Sequence, residues 1–169
     1  MLGSTPDMAT DPPADLTLVP LQGEPHTVAE WVTTFHLALV VLDPFTYESA
    51  WLLEEAGRIL DTYTAADVRV GWLVAGSADE ARQFLGPWAE QLLTFIDPER
   101  EAVKALGLEQ LPAFVHIDMA CQVASSAEGW QPAEWREALA ELSRTLSWTQ
   151  PALPGPGAPG PFTGTPALT

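Results

Sequence analysis

Few residues of this 169-residue chain could carry out chemistry, and the first to consider are two hydroxyls, Thr46 and Ser49. They follow a run of apolar residues and lie three positions apart, as the first turn of a helix would place them. A serine or threonine nucleophile needs a hydrogen-bonded base, and no sequence motif places a histidine beside either residue. We therefore expect Thr46 to be the N-cap of that helix, accepting a hydrogen bond from an otherwise unpaired N–H. The alternative is a polar patch at the helix N-terminus that binds a carboxylate or another anion.

A thiol and three histidines are the other candidates. Cys121 is the only cysteine, so the chain cannot form an intramolecular disulfide. Nothing beside it in the sequence would lower the pKa of the thiol, and we expect a small, partly buried strand residue; the alternative is a solvent-facing thiol. The histidines lack metal-ligand spacing, so we expect no metal and no cofactor. His116 and Asp118 alternate along one strand face, which predicts a structural histidine–carboxylate pair.

Charge and hydropathy exclude several classes of partner. The net charge is −16, from 23 acidic and 7 basic residues, so the chain should repel nucleic acids and anionic membrane surfaces. No apolar run approaches the roughly 18 residues of a membrane span. The first residues also lack the basic and apolar regions of a secretory signal. We expect an acidic, cytoplasmic protein with no nucleic-acid and no membrane partner.

Composition divides the chain into three parts. Residues 1–15 are rich in proline and aspartate, which predicts a disordered acidic tail. Residues 149–169 are rich in proline and glycine and carry no charge, which predicts a second disordered tail. Residues 16–148 should form one domain, since this length suffices for a hydrophobic core.

Strand and helix patterns alternate within that domain. Apolar runs predict strands over residues 16–21, 36–42, 68–74, 92–96, 113–117 and 121–125. Capping residues and apolar stripes predict helices over residues 27–34, 47–62, 77–85, 97–106 and 132–146. The last two strands form a hairpin. This order predicts an α/β fold with a mixed β-sheet and helices on both faces.

The order resembles the thioredoxin-like fold, and most closely its peroxiredoxin and TlpA-type branch, in which an extra strand and helix precede the active-site strand. The resemblance rests on the strand at 36–42, the loop Asp43–Phe45, the helix start at Thr46, and Leu111-Pro112 before Ala113. In such proteins the residue that matches Pro112 is a cis-proline that shapes a groove for an extended substrate. The resemblance implies the same isomer here.

The resemblance also shows what is missing. The two cysteines of the family's Cys-x-x-Cys pair map to Thr46 and Ser49, and the buried acid of many thioredoxins maps to Val40. A Cys-x-x-Cys pair works because one thiolate attacks a disulfide and a second thiol resolves the intermediate, and hydroxyls do neither. The resemblance therefore implies a redox-inactive pseudoenzyme with no catalytic residue. It would bind a protein or an extended peptide segment in the former active-site groove, which we expect to comprise Phe45, Thr46, Tyr47, Ser49, Leu111, Pro112 and Ala113.

Two of the seven tryptophans fit a core position poorly. Trp130 follows a glycine in a loop, and Trp148 lies beyond the last helical stripe. Because exposed tryptophan is a frequent interface anchor, we expect both to be contact residues. Two other functions stay open: a thiol–disulfide oxidoreductase or peroxidase that uses Cys121, and a structural subunit of a larger complex. The sequence does not predict the oligomeric state.

Overall fold

A computed structural model describes residues 9–168 of the protein. Over this range the chain forms nine strands and six helices. The strands are β1 (Thr17–Pro20), β2 (His26–Thr27), β3 (His36–Leu42), β4 (Val68–Val74), β5 (Leu93–Ile96), β6 (Gln110–Leu111), β7 (Ala113–Ile117), β8 (Val123–Glu128) and β9 (Thr165–Pro166). The helices are α1 (Val28–Trp31), α2 (Tyr47–Asp61), α3 (Ala78–Leu85), α4 (Trp88–Gln91), α5 (Glu101–Ala105) and α6 (Pro132–Leu146). No helix in this range is long and apolar enough to cross a membrane.

Seven strands form one mixed sheet in the order β2-β1-β5-β4-β3-β7-β8. The three central strands β3, β4 and β5 run parallel, and β7 pairs antiparallel with β3. The predicted α/β fold with a mixed sheet is confirmed. The remaining two strands, β6 and β9, form a separate antiparallel pair.

Helices cover both faces of the sheet, as the apolar sequence of β3 predicts. The even-numbered residues from Ala38 to Leu42 pack with α2, α3 and α6. The odd-numbered residues from Leu37 to Val41 pack with α1 and α5 on the other face. Because side chains alternate along a strand, β3 contributes to two separate hydrophobic clusters.

Local capping sets most of the helix starts. Thr27 with Glu30, and Ser77 with Glu80, form the two expected capping boxes. The helix predicted from residue 97 begins later, at Glu101. The Asp97 carboxylate still caps it, because its oxygens accept the N–H groups of Ala102 and Val103 at 3.2 and 3.0 Å.

The segment of residues 151–168, here called the strap, departs from the expectation of a disordered tail. It lies against the domain, and Pro151, Leu153 and Ala167 are buried. Its order comes from main-chain hydrogen bonds to residues distant in sequence, which a count of prolines and glycines does not register. At the other end, residues 1–8 of the predicted acidic tail lie outside the described residues, as does Thr169 at the end of the second tail. Ala9 is buried, and the Thr10 N–H donates to Leu106 O.

Candidate functional site

The turn between β3 and α2 uses both hydroxyls for structure. Thr46 is the N-cap of α2, as expected: its Oγ1 accepts the Ser49 N–H at 3.5 Å and donates to Asp43 O at 3.3 Å. Ser49 is fully buried, and its Oγ accepts the Asp43 N–H at 3.0 Å. The two residues to which the resemblance assigns the family's cysteine positions therefore hold this turn closed.

Asp43 and Arg100 connect the same turn to the strap. The Asp43 carboxylate accepts the Phe45 N–H at 2.9 Å and pairs with the Arg100 guanidinium at 3.0 Å. Only 3% of the Asp43 side chain and 14% of the Arg100 side chain are exposed. Arg100 also donates through Nη1 to the carbonyl oxygen of Ala167. This buried ion pair thus contacts both the helix start and the far end of the strap.

The second side of the site is formed by β6 and the residues that follow it. The Leu111-Pro112 bond is cis, as the resemblance implies, and Leu111, Pro112 and Ala113 are buried. Glu128 fixes this segment from β8, since its Oε1 accepts the N–H groups of Glu109 and Gln110, each at 2.8 Å. We define the groove as the space between the β3–α2 turn and residues 110–113.

The strap lies along the side of the groove that residues 110–113 form. Strand β9 pairs antiparallel with β6, with Thr165 opposite Leu111 and Pro166 opposite Gln110. The Ala167 N–H donates to Glu109 O at 3.0 Å. The chain's own segment therefore lies along the edge at which the resemblance predicts an extended substrate.

A second main-chain pairing holds the strap at Phe162, three residues before β9. The Trp130 N–H donates to Phe162 O at 2.8 Å, and the Phe162 N–H donates to Trp130 O at 2.9 Å. The Trp130 indole Nε1 also donates to Pro159 O at 2.9 Å. The strap is thus paired with the domain at two places through its backbone.

Trp130 is consequently not the exposed anchor that its loop position suggested. It is fully buried, and its ring lies edge-to-face with Trp135 at 5.2 Å. The strap passes over it, which no local sequence pattern reveals. Trp148 does remain 37% exposed, and its Nε1 donates to Thr62 O at 2.7 Å.

Three residues on one side of α2 also meet the strap. Trp51 lies edge-to-face with Phe162 at 5.8 Å and is 56% exposed. Glu55 and Arg58 follow at spacings of four and three, so that all three share a helix face. Arg58 donates to Ala152 O at 2.8 Å. One face of α2 therefore packs against the sheet and the adjacent face against the strap.

Glu55 is the buried acid of this contact. Its carboxylate accepts two hydrogen bonds from Arg58, at 3.0 and 2.9 Å, and the Gly155 N–H at 2.6 Å. Burial by itself would raise the pKa of Glu55, but these hydrogen bonds and the charge of Arg58 lower it below its usual range. Sequence reasoning missed this cluster; its only signal is an acid and an arginine three residues apart.

Phe45 and Tyr47 lie beside the groove without filling it. They are 64% and 79% exposed. Phe45 borders a shallow pocket with Pro44, Glu80 and Phe84. These two aromatic rings are available to a molecule that approaches the β3–α2 turn from solvent.

The remaining candidates lie at the opposite end of the sheet. His116 is buried, and its Nε2 lies 2.8 Å from His36 Nδ1, so the expected pairing with Asp118 is wrong. The Asp118 carboxylate instead accepts the N–H groups of Ala120 and Gln122 in the β7–β8 turn. The pKa of His116 is lowered to about 4, chiefly by burial and also by the charge of His36, while Asp118 and Glu141 act in the opposite direction.

Cys121 lies in this same turn, half-buried and with a φ of 62°. Strands β3 and β7 are antiparallel, with Val41 opposite Ala113 near the groove and Leu37 opposite Ile117 near the turn. The seven residues of β3 therefore separate Cys121 from Thr46 by about 20 Å, at about 3.3 Å per residue. The thiol therefore lies far from the two positions that the resemblance assigns to the family's cysteines.

No family model and no curated protein matches the sequence. Solved structures do match the fold. A hypothetical protein from Sinorhizobium meliloti is 12% identical with a TM-score of 0.67, over 95% of this chain and 94% of that one. Peroxidoxin BcpB from Mycobacterium tuberculosis is 14% identical with a TM-score of 0.62, over 81% and 97%. The pneumococcal exposed lipoprotein thioredoxin from Streptococcus pneumoniae is 16% identical with a TM-score of 0.60, over 79% and 100%. At these identities the matches show a thioredoxin-like fold and nothing finer.

Proposed function

We propose that the protein is a thiol-independent binding module that holds an extended protein or peptide segment in the groove. The observation that carries this proposal is the strap: an extended segment lies there, paired through its main chain with β6 and with Trp130. Strand addition at a sheet edge is a recurrent mode of peptide recognition, in which backbone hydrogen bonds supply affinity and side-chain pockets supply specificity. Leu111, Pro112 and Ala113 form the buried floor, and Phe45 and Tyr47 form an exposed rim.

The state of the two hydroxyls supports a function without redox chemistry. Thr46 and Ser49 are engaged within the turn, and the lone thiol lies at the other end of the sheet. The alternative that uses Cys121 would need a different site from the groove, and no observation favours one.

Binding in trans can be tested with the full chain after its own strap has been displaced from the groove. A Cβ at Gly164 would lie 2.8 Å from Leu111 O, and the residue has a φ of +97°. Gly164→Val should therefore detach residues 160–168 from β6. A Cβ at Gly160 meets no atom within 4 Å, so Gly160→Val is the matched control that leaves the strap in place.

The probe is a fluorescent peptide with the sequence of residues 160–168. Fluorescence anisotropy should show saturable binding to the Gly164→Val chain, at least about tenfold tighter than to the wild type or Gly160→Val, because only the variant has an open groove. Absence of binding to a Gly164→Val chain whose strap is shown to be released would overturn the proposal.

A second variant locates the binding. A Cβ at Gly129 would lie 2.2 Å from Thr163 O, so Gly129→Ala should block any segment that takes this path. Gly86→Ala introduces a side chain at a similar φ, +58°, with no atom within 4 Å. Combined with Gly164→Val, the first substitution should abolish peptide binding and the second should preserve it.

A further inference from the structure

The strap contacts restrict which segments the groove can accept. We propose that the groove selects a segment with an aromatic residue at its first position, glycine at its third and a small residue at its sixth. Residues Phe162–Ala167 of this chain then have the same pattern as the partner's segment. The two segments compete for the groove. This inference rests on the proposed binding function and names the partner that the function requires.

Glycine at the third position is required by a close approach of two backbones. A Cβ at Gly164 would lie 2.8 Å from Leu111 O and 3.2 Å from the Gly129 Cα. A Cβ added at Gly129 would in turn lie 2.2 Å from Thr163 O. The domain and the strap therefore each contribute a glycine to one contact, and the obstacles are backbone atoms that cannot rotate away. A side chain on the bound segment at this point would separate the two chains.

The contacts of Phe162 favour an aromatic residue at the first position. Phe162 exchanges two main-chain hydrogen bonds with Trp130, and its carbonyl also accepts the Gln131 Nε2–H at 3.3 Å. Its half-buried ring packs on the core cluster that includes Trp130 and lies edge-to-face with Trp51. Edge-to-face contact of aromatic rings is favourable beyond the area buried, so an aliphatic residue would lose part of this contact.

A small residue is specified at the sixth position. Ala167 is 1% exposed and belongs to the core cluster that contains Leu111 and Val103. Its N–H and its carbonyl are fixed by Glu109 O and Arg100 Nη1. A larger side chain would have to enter a packed interior, which cores resist.

Two of the intervening positions are tolerant, because Thr163 and Pro166 are exposed. The third, Thr165, is half-buried and donates through Oγ1 to Leu111 O at 3.4 Å. Within Phe162–Ala167 one arginine reaches a main-chain carbonyl, since Arg100 donates to Ala167 O; Arg58 and Arg136 donate to Ala152 O and Leu153 O, at the start of the strap. The domain thus restricts the side chain at three positions of the segment, the first, third and sixth, and also binds its backbone.

The tether makes the strap a strong competitor. A segment joined to its own site through a short linker has an effective concentration on the order of millimolar. A free peptide with equal contacts must approach that concentration to displace it. A partner that adds contacts, for example to the exposed rings of Phe45 and Tyr47, can displace it at lower concentration.

The test compares nine-residue peptides on the full-length Gly164→Val chain. The parent peptide has the sequence of residues 160–168, and single changes are made at the positions of Phe162 (to Ala), Gly164 (to Val) and Ala167 (to Leu). A change of Thr163 to Ser serves as the control. Each of the first three should weaken binding by at least about tenfold, and the control should bind like the parent.

The outcomes separate this inference from the proposed function. Equal binding of all peptides would overturn the selectivity while leaving a general binding groove. No binding of any peptide to an open groove would instead overturn the proposed function itself.

Amide hydrogen exchange in the wild type tests whether Phe162–Ala167 are paired with the groove in solution. The Phe162 and Ala167 N–H groups, which donate to Trp130 O and Glu109 O, should be protected and should lose protection in Gly164→Val. Fast exchange at both in the wild type would overturn the proposal. If the two N–H groups are protected but the protein has the mass of a dimer in solution, the segment in the groove belongs to a second copy of the chain. That result would also overturn the proposal.

Discussion

Thr46 and Ser49 illustrate how one pair of positions can serve structure rather than chemistry. A hydroxyl is both a donor and an acceptor, whereas a thiol is weak in both roles. The Ser49 Oγ accepts a main-chain N–H in the buried turn, and the Thr46 Oγ1 caps the helix. Because these bonds satisfy backbone groups that would otherwise be unpaired at the helix start, the hydroxyls favour a rigid groove wall.

His116 predicts a pH dependence of the free energy of unfolding. Burial and the charge of His36 lower its pKa from 6.5 to about 4 in the folded protein. As the pH falls from about 6.5 to 4, the unfolded chain binds a proton that the folded chain does not, so stability is complete above this window and is lost through it. The full effect is about 3 kcal/mol. Its Nδ1 has no hydrogen-bond partner among the described residues, so no further bond opposes the effect.

Urea unfolding of the wild type and of His116→Leu at about pH 7 and about pH 4.5 measures this term. The difference in stability between the two pH values should be smaller by about 2 kcal/mol in the variant, because leucine does not titrate. An unchanged difference in His116→Leu would contradict the buried, neutral imidazole.

At the scale of elements, the strap changes the role of the tryptophans that flank α6. Trp130 precedes the helix and is fully buried beneath the strap, whereas Trp148 follows it and is partly exposed. Trp130→Ala should therefore lower the free energy of unfolding by about 3–5 kcal/mol. Trp148→Ala removes a hydrogen bond to Thr62 O and a ring that is 37% exposed, so it should cost clearly less than Trp130→Ala. Equal costs in chemical denaturation would show that the strap does not cover Trp130.

The sequence predicts the elements that are determined by their own residues or by residues directly beside them. Strands β3, β4 and β7 match their apolar runs residue for residue, and Ser77 with Glu80 marks the start of α3. The candidate groove was also predicted in outline, since the Leu111-Pro112 segment and the start of α2 occupy fixed places in this fold order.

What the sequence could not predict are contacts between distant segments. The strap is ordered by Arg58, Arg136 and Trp130, which lie far from it in sequence, and no periodic pattern marks a segment held by its backbone. The pairing of His36 with His116 likewise depends on the register of β3 against β7. Because the strap covers Trp130, a sequence analysis that predicts a disordered tail cannot predict that Trp130 is buried.

For the whole molecule, the distribution of its few positive charges is informative. The chain has only 7 basic residues against 23 acidic ones, yet three arginines donate to carbonyls of the uncharged strap. Two of these contacts lie at the start of the strap and one at its end. Because the strap brings no negative charge, two of these arginines keep acidic partners: Glu55 for Arg58 and Asp43 for Arg100.

Arg100 is the residue on which three parts of the molecule depend together: the β3–α2 turn, the start of α5 and the end of the strap. In Arg100→Gln the Asp43 carboxylate would stay buried without its partner, which should cost about 3–5 kcal/mol of stability in urea unfolding. The Ala167 carbonyl would lose its donor at the same time, so amide exchange at Ala167 should accelerate more than at Phe162, which is held by Trp130. Arg82→Gln is the matched control, because Arg82 and its partner Asp79 are exposed and such pairs contribute about 1 kcal/mol or less. Wild-type stability and protection in Arg100→Gln would mean that the turn and the strap are held independently, and that opening the groove need not disturb the helix start beside it.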